Sequence, residues 1–330
     1  MSERAPKQPF PARVDPMLAK AGVLPAEEDG AWGFEVKWDG VRALAFLRDG
    51  ELRMQSRRME DVTARYPELA PMAAELGSSA AVLDGEVVAR DEAGRPSFQL
   101  VQRRMGLTSA ASVKARMGDT PVDYVAFDLV HLDGRDLRPL PYSERRELLA
   151  DLGLDGPRWS SPAHRTEGGR DLLEATRRQG LEGVVAKRLD SPYREGRRSG
   201  EWVKERIWRR QEFVIGGHIP GEGSRAERVG SLLAGYWEDG KLHCAGAVGS
   251  GLKEDDIHFL TGELKRLHRA DSPFTGRGPR GPKARLAVFC EPELVCDVTW
   301  SEWTTQGTLR QPAFKEMRTD KDPTEVVRES

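Results

Sequence analysis

Apolar positions along the chain recur mostly with the two-residue period of strands, interrupted in places by the longer period of amphipathic helices. Ala43 to Arg48 alternates, meets Asp49-Gly50, a favoured two-residue hairpin turn, and returns as Glu51 to Ser56. Just upstream, a short apolar run around Phe34 predicts a strand that emerges into a turn at Lys37. Thr63 to Leu76 reads as a helix, with Pro67 near its start and Gly77 just past its end. Ala81 to Arg90 predicts a strand carrying Asp84 and Glu86 on one face, where two acids ordinarily meet solvent. A short helix is expected over Ser97 to Met105, with Arg103 and Arg104 leading into a polar loop. Val122 to Leu132 is the most strand-like stretch and is closed by Asp133-Gly134. Helices over Ser143 to Leu152 and Glu167 to Gln179 precede strands at Glu182 to Arg188 and around Trp202 to Arg206.

After Trp208 the pattern changes. Short strands are predicted at Glu212 to His218, Ser231 to Glu238, Lys241 to Val248, Leu286 to Pro292 and Leu294 to Thr299. One helix interrupts them, with Ile257, Leu260, Leu264 and Leu267 as its core stripe. The first part mixes strands and helices without a βαβ repeat, which predicts an α+β domain of antiparallel sheets flanked by helices. The second suits a small Greek-key β-barrel of the oligonucleotide-binding (OB-fold) class. The expected layout is a mobile N-terminal tail at 1–14, a first domain at 15–207 and an OB-fold domain at 208–330.

Composition narrows the class. A chain of 330 residues exceeds the usual single domain, and 38% hydrophobic with 32% charged residues suits a soluble globular protein. No apolar stretch approaches the ~18 residues of a membrane span, and the N-terminus lacks the apolar core of a signal peptide, so a cytoplasmic location is expected. Cys244, Cys290 and Cys296 form no C-x-x-C pair, which argues for core positions over structural zinc or a disulfide framework. The 51 basic and 53 acidic side chains exclude a protein that coats nucleic acid indiscriminately, so phosphate contact must come from local clusters. Lys187 to Arg210 holds nine basic against four acidic residues, and Arg277 to Arg285 is a basic loop rich in Gly and Pro.

The candidate chemistry centres on Lys37-Trp38-Asp39-Gly40-Val41-Arg42. Such a string alone is more often a solvated corner. As a nucleophile Lys37 must lose its proton, which a lysine with a pKa of about 10.4 does only when cationic neighbours or desolvation help. The company changes the reading: Ser56-Arg57, Asp84-Gly85-Glu86-Val87-Val88, Tyr124 to Leu129, Glu182-Gly183-Val184-Val185-Ala186-Lys187, Trp202-Val203-Lys204-Glu205-Arg206 and Arg318-Thr319-Asp320-Lys321. In this order the set resembles the covalent nucleotidyltransferases, and most closely the bacterial ATP-dependent DNA ligases of the end-joining type, the ligase C and ligase D ligase-domain group. The resemblance runs from about Asp15 almost to the C-terminus.

The resemblance implies an adenylation domain followed by an OB-fold domain. It also implies three phosphoryl transfers at one site: enzyme adenylation, AMP transfer to a 5′-phosphate, and attack by a 3′-hydroxyl. Lys37 would attack the α-phosphorus of ATP and carry AMP. Glu35 would lie in the segment reading the adenine amine. Arg42 and Arg57 would contact sugar and phosphates, and Glu86 the ribose hydroxyl. Phe127, a core residue on composition alone, would stack on the base. Glu86 and Glu182 would hold Mg²⁺, with Mn²⁺ as a substitute. Lys187, Lys204 and Arg206 would face the α-phosphate, although the family more often has lysine at the last position, and arginine is not its geometric equivalent. Arg318 and Lys321 would orient the pyrophosphate leaving group. The implied partners are nicked or broken duplex DNA, a Ku-like end-binding protein and a repair polymerase, with the ligase itself a monomer. Nothing before residue 15 resembles the nicotinamide-recognition segment of NAD-dependent ligases, and the chain reads as a bare catalytic core. An RNA ligase or a capping guanylyltransferase shares the lysine chemistry, and a silent nucleic-acid-binding module is the reading outside enzymology.

Overall fold

The computed structural model describes residues 8–25, 30–223 and 226–329, and the chain divides into two compact units, Met1–Ile207 and Trp208–Ser330. The first unit contains β1 (Leu18–Ala21), β2 (Trp32–Val36), β3 (Val41–Arg48), β4 (Glu51–Ser56), β5 (Ala81–Val88), β6 (Asp123–Leu132), β7 (Arg135–Asp136), β8 (Asp155–Gly156), β9 (Trp159–Ser160), β10 (Gly183–Arg188) and β11 (Arg198–Arg206). Its helices are α1 (Met72–Glu75), α2 (Phe98–Gln102), α3 (Ala110–Asp119), α4 (Tyr142–Asp151) and α5 (Gly169–Arg178).

Two sheets form. The larger runs β4-β3-β5-β6-β9-β8, with β7 paired to β6, and the smaller runs β1-β11-β10-β2. Pairing is antiparallel except for β1 with β11 and β6 with β9. The β3–β4 hairpin turns at Asp49 (φ 55°) and Gly50 (φ 76°), the positive-φ pair that a two-residue turn demands.

Alternation explains how the larger sheet is buried on both faces. Ala43, Ala45, Leu47, Leu83 and Val87 point into one core with Tyr66, Leu69 and Met72. Leu44, Phe46, Val82 and Val130 point the other way, onto Met17, Tyr193 and Trp202 of the smaller sheet's side. Arg42, Asp84 and Glu86 continue that second face by their period-two spacing, so the apolar layer between the sheets ends in a polar cleft. On the far side of the smaller sheet, Phe34, Val184 and Ala186 pack on Leu173 of α5.

Several expectations are corrected. Residues 63–76 form two 3₁₀ turns, Thr63–Arg65 and Pro67–Leu69, and then only the short α1. The cause is local: Tyr66, before Pro67, sits at φ −134°, ψ 53°, because the proline ring disfavours a helical predecessor. Arg104 is fully buried rather than in a polar loop, and bonds Glu68 and the carbonyls of Arg65 and Thr120. Helix α3 was not foreseen, since it buries only Val113, yet Ser109 caps it by accepting from Ser112 N. Residues 8–14 are not a mobile tail: Gln8 N donates to Gly134 O at 2.7 Å, and Val14 is buried. The rest of the expected tail, 1–7, lies outside the described residues.

The second unit holds β12 (Arg209–Pro220), β13 (Val229–Glu238), β14 (Lys241–Val248), α6 (Glu254–Arg266), β15 (His268–Arg269), β16 (Val288–Trp300) and β17 (Ala313–Met317). Its strand order is β14-β13-β12-β16-β15, with β17 also on β16, and every strand pair is antiparallel. Phe314 N donates to Ser250 O and Ser250 bridges Ala313, which brings the start of β17 beside the residues that follow β14. Ile257, Leu260 and Leu264 of α6 are buried, Leu260 and Leu264 in one core with Cys290 and Cys296, whereas Cys244 is buried in a separate cluster with Val214, Leu242 and Phe274. The two strands expected at 286–299 are one strand. Its pairing with β12 jumps from Ile215↔Leu294 to Gly217↔Phe289, and Pro292 sits in the resulting bulge, where no N–H is needed. β17 went unforeseen. Among the described residues no helix is long and apolar enough to cross a membrane.

Candidate active site

The polar cleft of the first unit is assembled by backbone before any side chain is considered. Lys37 leaves the end of β2 with its N–H donated to Gly183 O at 2.8 Å, and Ile207 N donates to Glu182 O at 3.0 Å. The Lys37 turn, the start of β10 and the end of β11 are thereby tied together. Two glycines permit this closeness. A Cβ on Gly183, at φ 143°, would lie 2.1 Å from Glu205 O, and one on Gly40 would lie 2.3 Å from Val87 O.

The side chains then converge. Lys37 Nζ donates to Glu182 Oε2, and Arg206 Nε lies 3.2 Å from the other oxygen of that carboxylate. Lys204 projects from the same face of β11 as Arg206, and among the described residues it has no ion pair of its own. Burial, then Arg206, Lys37 and Arg198, push its ammonium down to about 8, with Glu182 opposing. Lys37 and Arg206 share the Glu182 carboxylate and Lys204 has none of its own among the described residues, which leaves this side of the cleft short of negative charge. Its chemistry calls for an anion.

Across the cleft, Glu86 on β5 lies directly opposite Arg42 on β3. Burial pushes the Glu86 carboxyl up to about 8; Lys37 and Arg42 pull against that, and Glu182 and Asp84 add to it. Arg42 does not reach freely into the cleft. Its Nε donates to Asp84 Oδ1 at 2.8 Å, its Nη2 bonds Asp84 Oδ2, and its guanidinium lies 5.4 Å from the centre of the Phe127 ring and 5.6 Å from that of Trp202. Asp84 is fully buried, not solvent-facing, and also accepts from Tyr193 Oη at 2.7 Å.

Glu35 and Lys187 form a separate group. Lys187 Nζ lies 2.6 Å from Glu35 Oε2, donates to Phe127 O at 3.0 Å, and stands 4.5 to 4.8 Å from the ring centres of Phe127, Trp202 and Tyr142. Tyr142 Oη donates to the other Glu35 oxygen, and Arg146 Nε is 3.7 Å from it. Burial lowers the Lys187 pKa against the pull of Glu35 and Asp128. Lys187 is four residues along β10 from Gly183, roughly 13 Å at strand rise. The structure therefore brings Lys187 to Glu35 and the Phe127 ring rather than to Lys37. Arg57 is exposed just past β4, where Ser56 pairs with Ala43. Arg318 and Lys321 lie in the second unit, where both face Glu212, at 2.6 and 3.6 Å.

Glu86 and Glu182 supply two hard oxygen donors, and among the described residues no group of three or more His, Cys, Asp or Glu forms a metal cage. Two carboxylates suit Mg²⁺, which keeps several waters and takes its remaining oxygens from substrate phosphates.

Comparison with known proteins decides the family. The model of the ATP dependent DNA ligase domain matches residues 16–206, and that of the ATP dependent DNA ligase C terminal region matches 225–321. The chain belongs to the ATP-dependent DNA ligases. DNA ligase C1 of Mycolicibacterium smegmatis is 35% identical, over 96% of this chain and 92% of its own length. The multifunctional non-homologous end joining DNA repair protein LigD of Mycobacterium tuberculosis is 42% identical over 95% of this chain, which spans only 40% of that protein. A solved mycobacterial DNA ligase D, complexed with ATP and MES, is 40% identical with a TM-score of 0.55, covering 96% of this chain and 98% of that one.

Sequence reasoning missed some of this ligase's site. Asp84 was noted only as a companion of Glu86, and its bond to Tyr193 spans 109 residues. Tyr142 and Trp202, which enclose Lys187, carried no signal beyond aromatic character. Arg145 and Asp128, a fully buried bidentate pair that ties α4 to the strand bearing Phe127, looked like an ordinary helix cation and strand acid.

Proposed function

We propose that this ligase seals breaks bearing a 5′-phosphate and a 3′-hydroxyl in duplex DNA, and that it does so through AMP carried on Lys37. The observation that carries the reading is the cation-rich cleft in which Lys37 and Arg206 share one carboxylate beside Lys204, a place built for a polyphosphate. Lys37 Nζ forms the bond to the α-phosphorus and the bond to the bridging oxygen breaks, expelling pyrophosphate; the proton that Lys37 sheds has Glu182 Oε2 as its nearest acceptor. Lys204 and Arg206 stabilise the charge that builds on the α-phosphate oxygens. Phe127 stacks on the adenine with Glu35 and Lys187 fixed behind it, Arg57 reaches the phosphates from the exposed rim, and Arg42 acts chiefly by holding Asp84. Mg²⁺, or Mn²⁺ in its place, would be held by Glu86 and Glu182 and would neutralise phosphate charge during each transfer. Arg318 and Lys321 orient the departing pyrophosphate. The two units correspond to an adenylation domain and an OB-fold domain.

Likeness to LigD and ligase C supports a place in end joining, acting as a monomer alongside a Ku-like end-binding protein and a repair polymerase. The test uses the whole chain with α-labelled ATP or GTP and Mg²⁺, followed by nicked duplexes. Label from ATP, discharged by pyrophosphate or by a 5′-phosphate nick, is expected. Label from GTP, or sealing confined to RNA strands, would replace this reading with a capping or RNA-ligase one. Absence of any covalent label would leave only nucleic-acid binding.

A further inference from the structure

On three neighbouring strands of the second unit, carboxylates stand directly opposite one another: Glu212 on β12 faces Asp297 on β16, which faces Glu316 on β17. Like charges in opposite register destabilise a sheet, so such a row persists only with cations laid across it. Arg210 covers one end, bonding Asp297 and Glu316. The other end is covered by the two cations proposed to act on pyrophosphate. Arg318 Nη1 donates to Glu212 Oε1 at 2.6 Å, and Lys321 Nζ lies 3.6 Å from the same oxygen. Asp297 is buried with its Oδ1 unbonded, and Arg318 adds to the field around it.

The contacts of Arg318 differ in kind. Its Nε and Nη2 bond Asp320, two residues on, and that pair moves as a piece of one turn. Its bond to Glu212 joins residues 106 apart, one on β12 and the other just past the end of β17. To offer a guanidinium edge to a phosphate, Arg318 must let go of Glu212, and Lys321 must leave the same carboxylate.

We infer that Glu212, at one end of this acidic row, is a parking site that keeps Arg318 and Lys321 engaged within the second unit and sets how readily enzyme adenylation proceeds. Glu212 is thus a positioning residue, and the inference rests on the reading that these two cations act on the leaving group. Glutamine at 212 keeps the shape and removes the charge. Single-turnover adenylation by Glu212→Gln should rise about two- to five-fold, the factor expected from releasing a partly exposed ion pair. Sealing of DNA that already carries a 5′-AMP should keep its rate. Glu316→Gln, whose partner is Arg210, serves as a control and should leave adenylation unchanged.

The decisive variant combines Glu212→Gln with Arg318→Ala and Lys321→Ala. With the cations gone, the substitution at 212 should have no further effect, the coupling expected of direct partners. Adenylation that is unchanged or slower in Glu212→Gln, or faster even without the cations, would overturn the parking site. If Arg318→Ala/Lys321→Ala by itself adenylates at the unaltered rate, the leaving-group reading fails and takes the parking site with it, whereas a slow double variant beside an unresponsive Glu212→Gln overturns the parking site alone.

Discussion

Asp84→Ala should be far more damaging than a change at an exposed acid. It removes both hydrogen bonds that hold Arg42 and the partner of Tyr193 Oη, leaving a mostly buried guanidinium without its anion. Losing one partner of a buried pair costs about 3–5 kcal/mol, so a large fall in the urea midpoint is expected. Asp84→Asn, which keeps an acceptor, should fall less. Equal midpoints for Asp84→Ala and the parent would show that Arg42 is held by its aromatic neighbours. Glu182→Ala should raise the Mg²⁺ concentration needed for adenylation, the outcome expected of the metal-ligand role proposed for that carboxylate. An unchanged Mg²⁺ titration in both Glu182→Ala and Glu86→Ala would contradict the metal assignment. At this scale the sequence was legible wherever chemistry is local: the turn at Lys37-Trp38-Asp39-Gly40 and the Glu182-Gly183 pair each lie within a few residues. The partners of Lys187, Arg42 and Arg318 were not legible, since each is supplied by a strand distant in sequence.

Among elements, the α4–β6 junction is the sharpest test of how the scaffold positions Phe127. The Asp128 and Arg145 side chains are both fully buried, and Arg145 Nη1 also donates to Leu140 O and Ser191 O. Arg145→Ala should unfold the first unit at lower denaturant by about 3 kcal/mol or more, and should weaken ATP binding through the displaced Phe127. Pairing it with Asp128→Leu should recover part of the stability, because the stranded carboxylate is then gone. A double variant no more stable than Arg145→Ala would mean that the carbonyl contacts, not the ion pair, hold the junction. Gly183→Ala tests the close approach beneath Glu182: a Cβ placed 2.1 Å from Glu205 O forces β10 and β11 apart. Its stability should drop by about 1–3 kcal/mol, with adenylation lost out of proportion. Period-two alternation foretold most long strands. It failed where proline rewrote a helical pattern at Tyr66-Pro67, and where α3 and β17 bury too few side chains to leave a periodic trace.

For the whole molecule, the division into a strand-and-helix unit and an antiparallel barrel followed from the change of pattern after Trp208, since each kind of core imposes its own period over a hundred residues or more. The part proposed for the second unit in the reaction did not follow from pattern. Arg318→Ala/Lys321→Ala should slow adenylation by ATP yet spare sealing of pre-adenylated nicks, because the later step contains no pyrophosphate; equal losses in both would make the tail a DNA contact or a brace. The claim beneath all of this is that AMP is carried on the Lys37 side chain. Digestion of the labelled protein after incubation with ATP and Mg²⁺, followed by mass spectrometry of its peptides, tests it most directly. The account predicts AMP on the peptide containing Lys37 and no adduct in a folded Lys37→Ala variant. AMP found on another residue, or a full adduct in the variant, would contradict it.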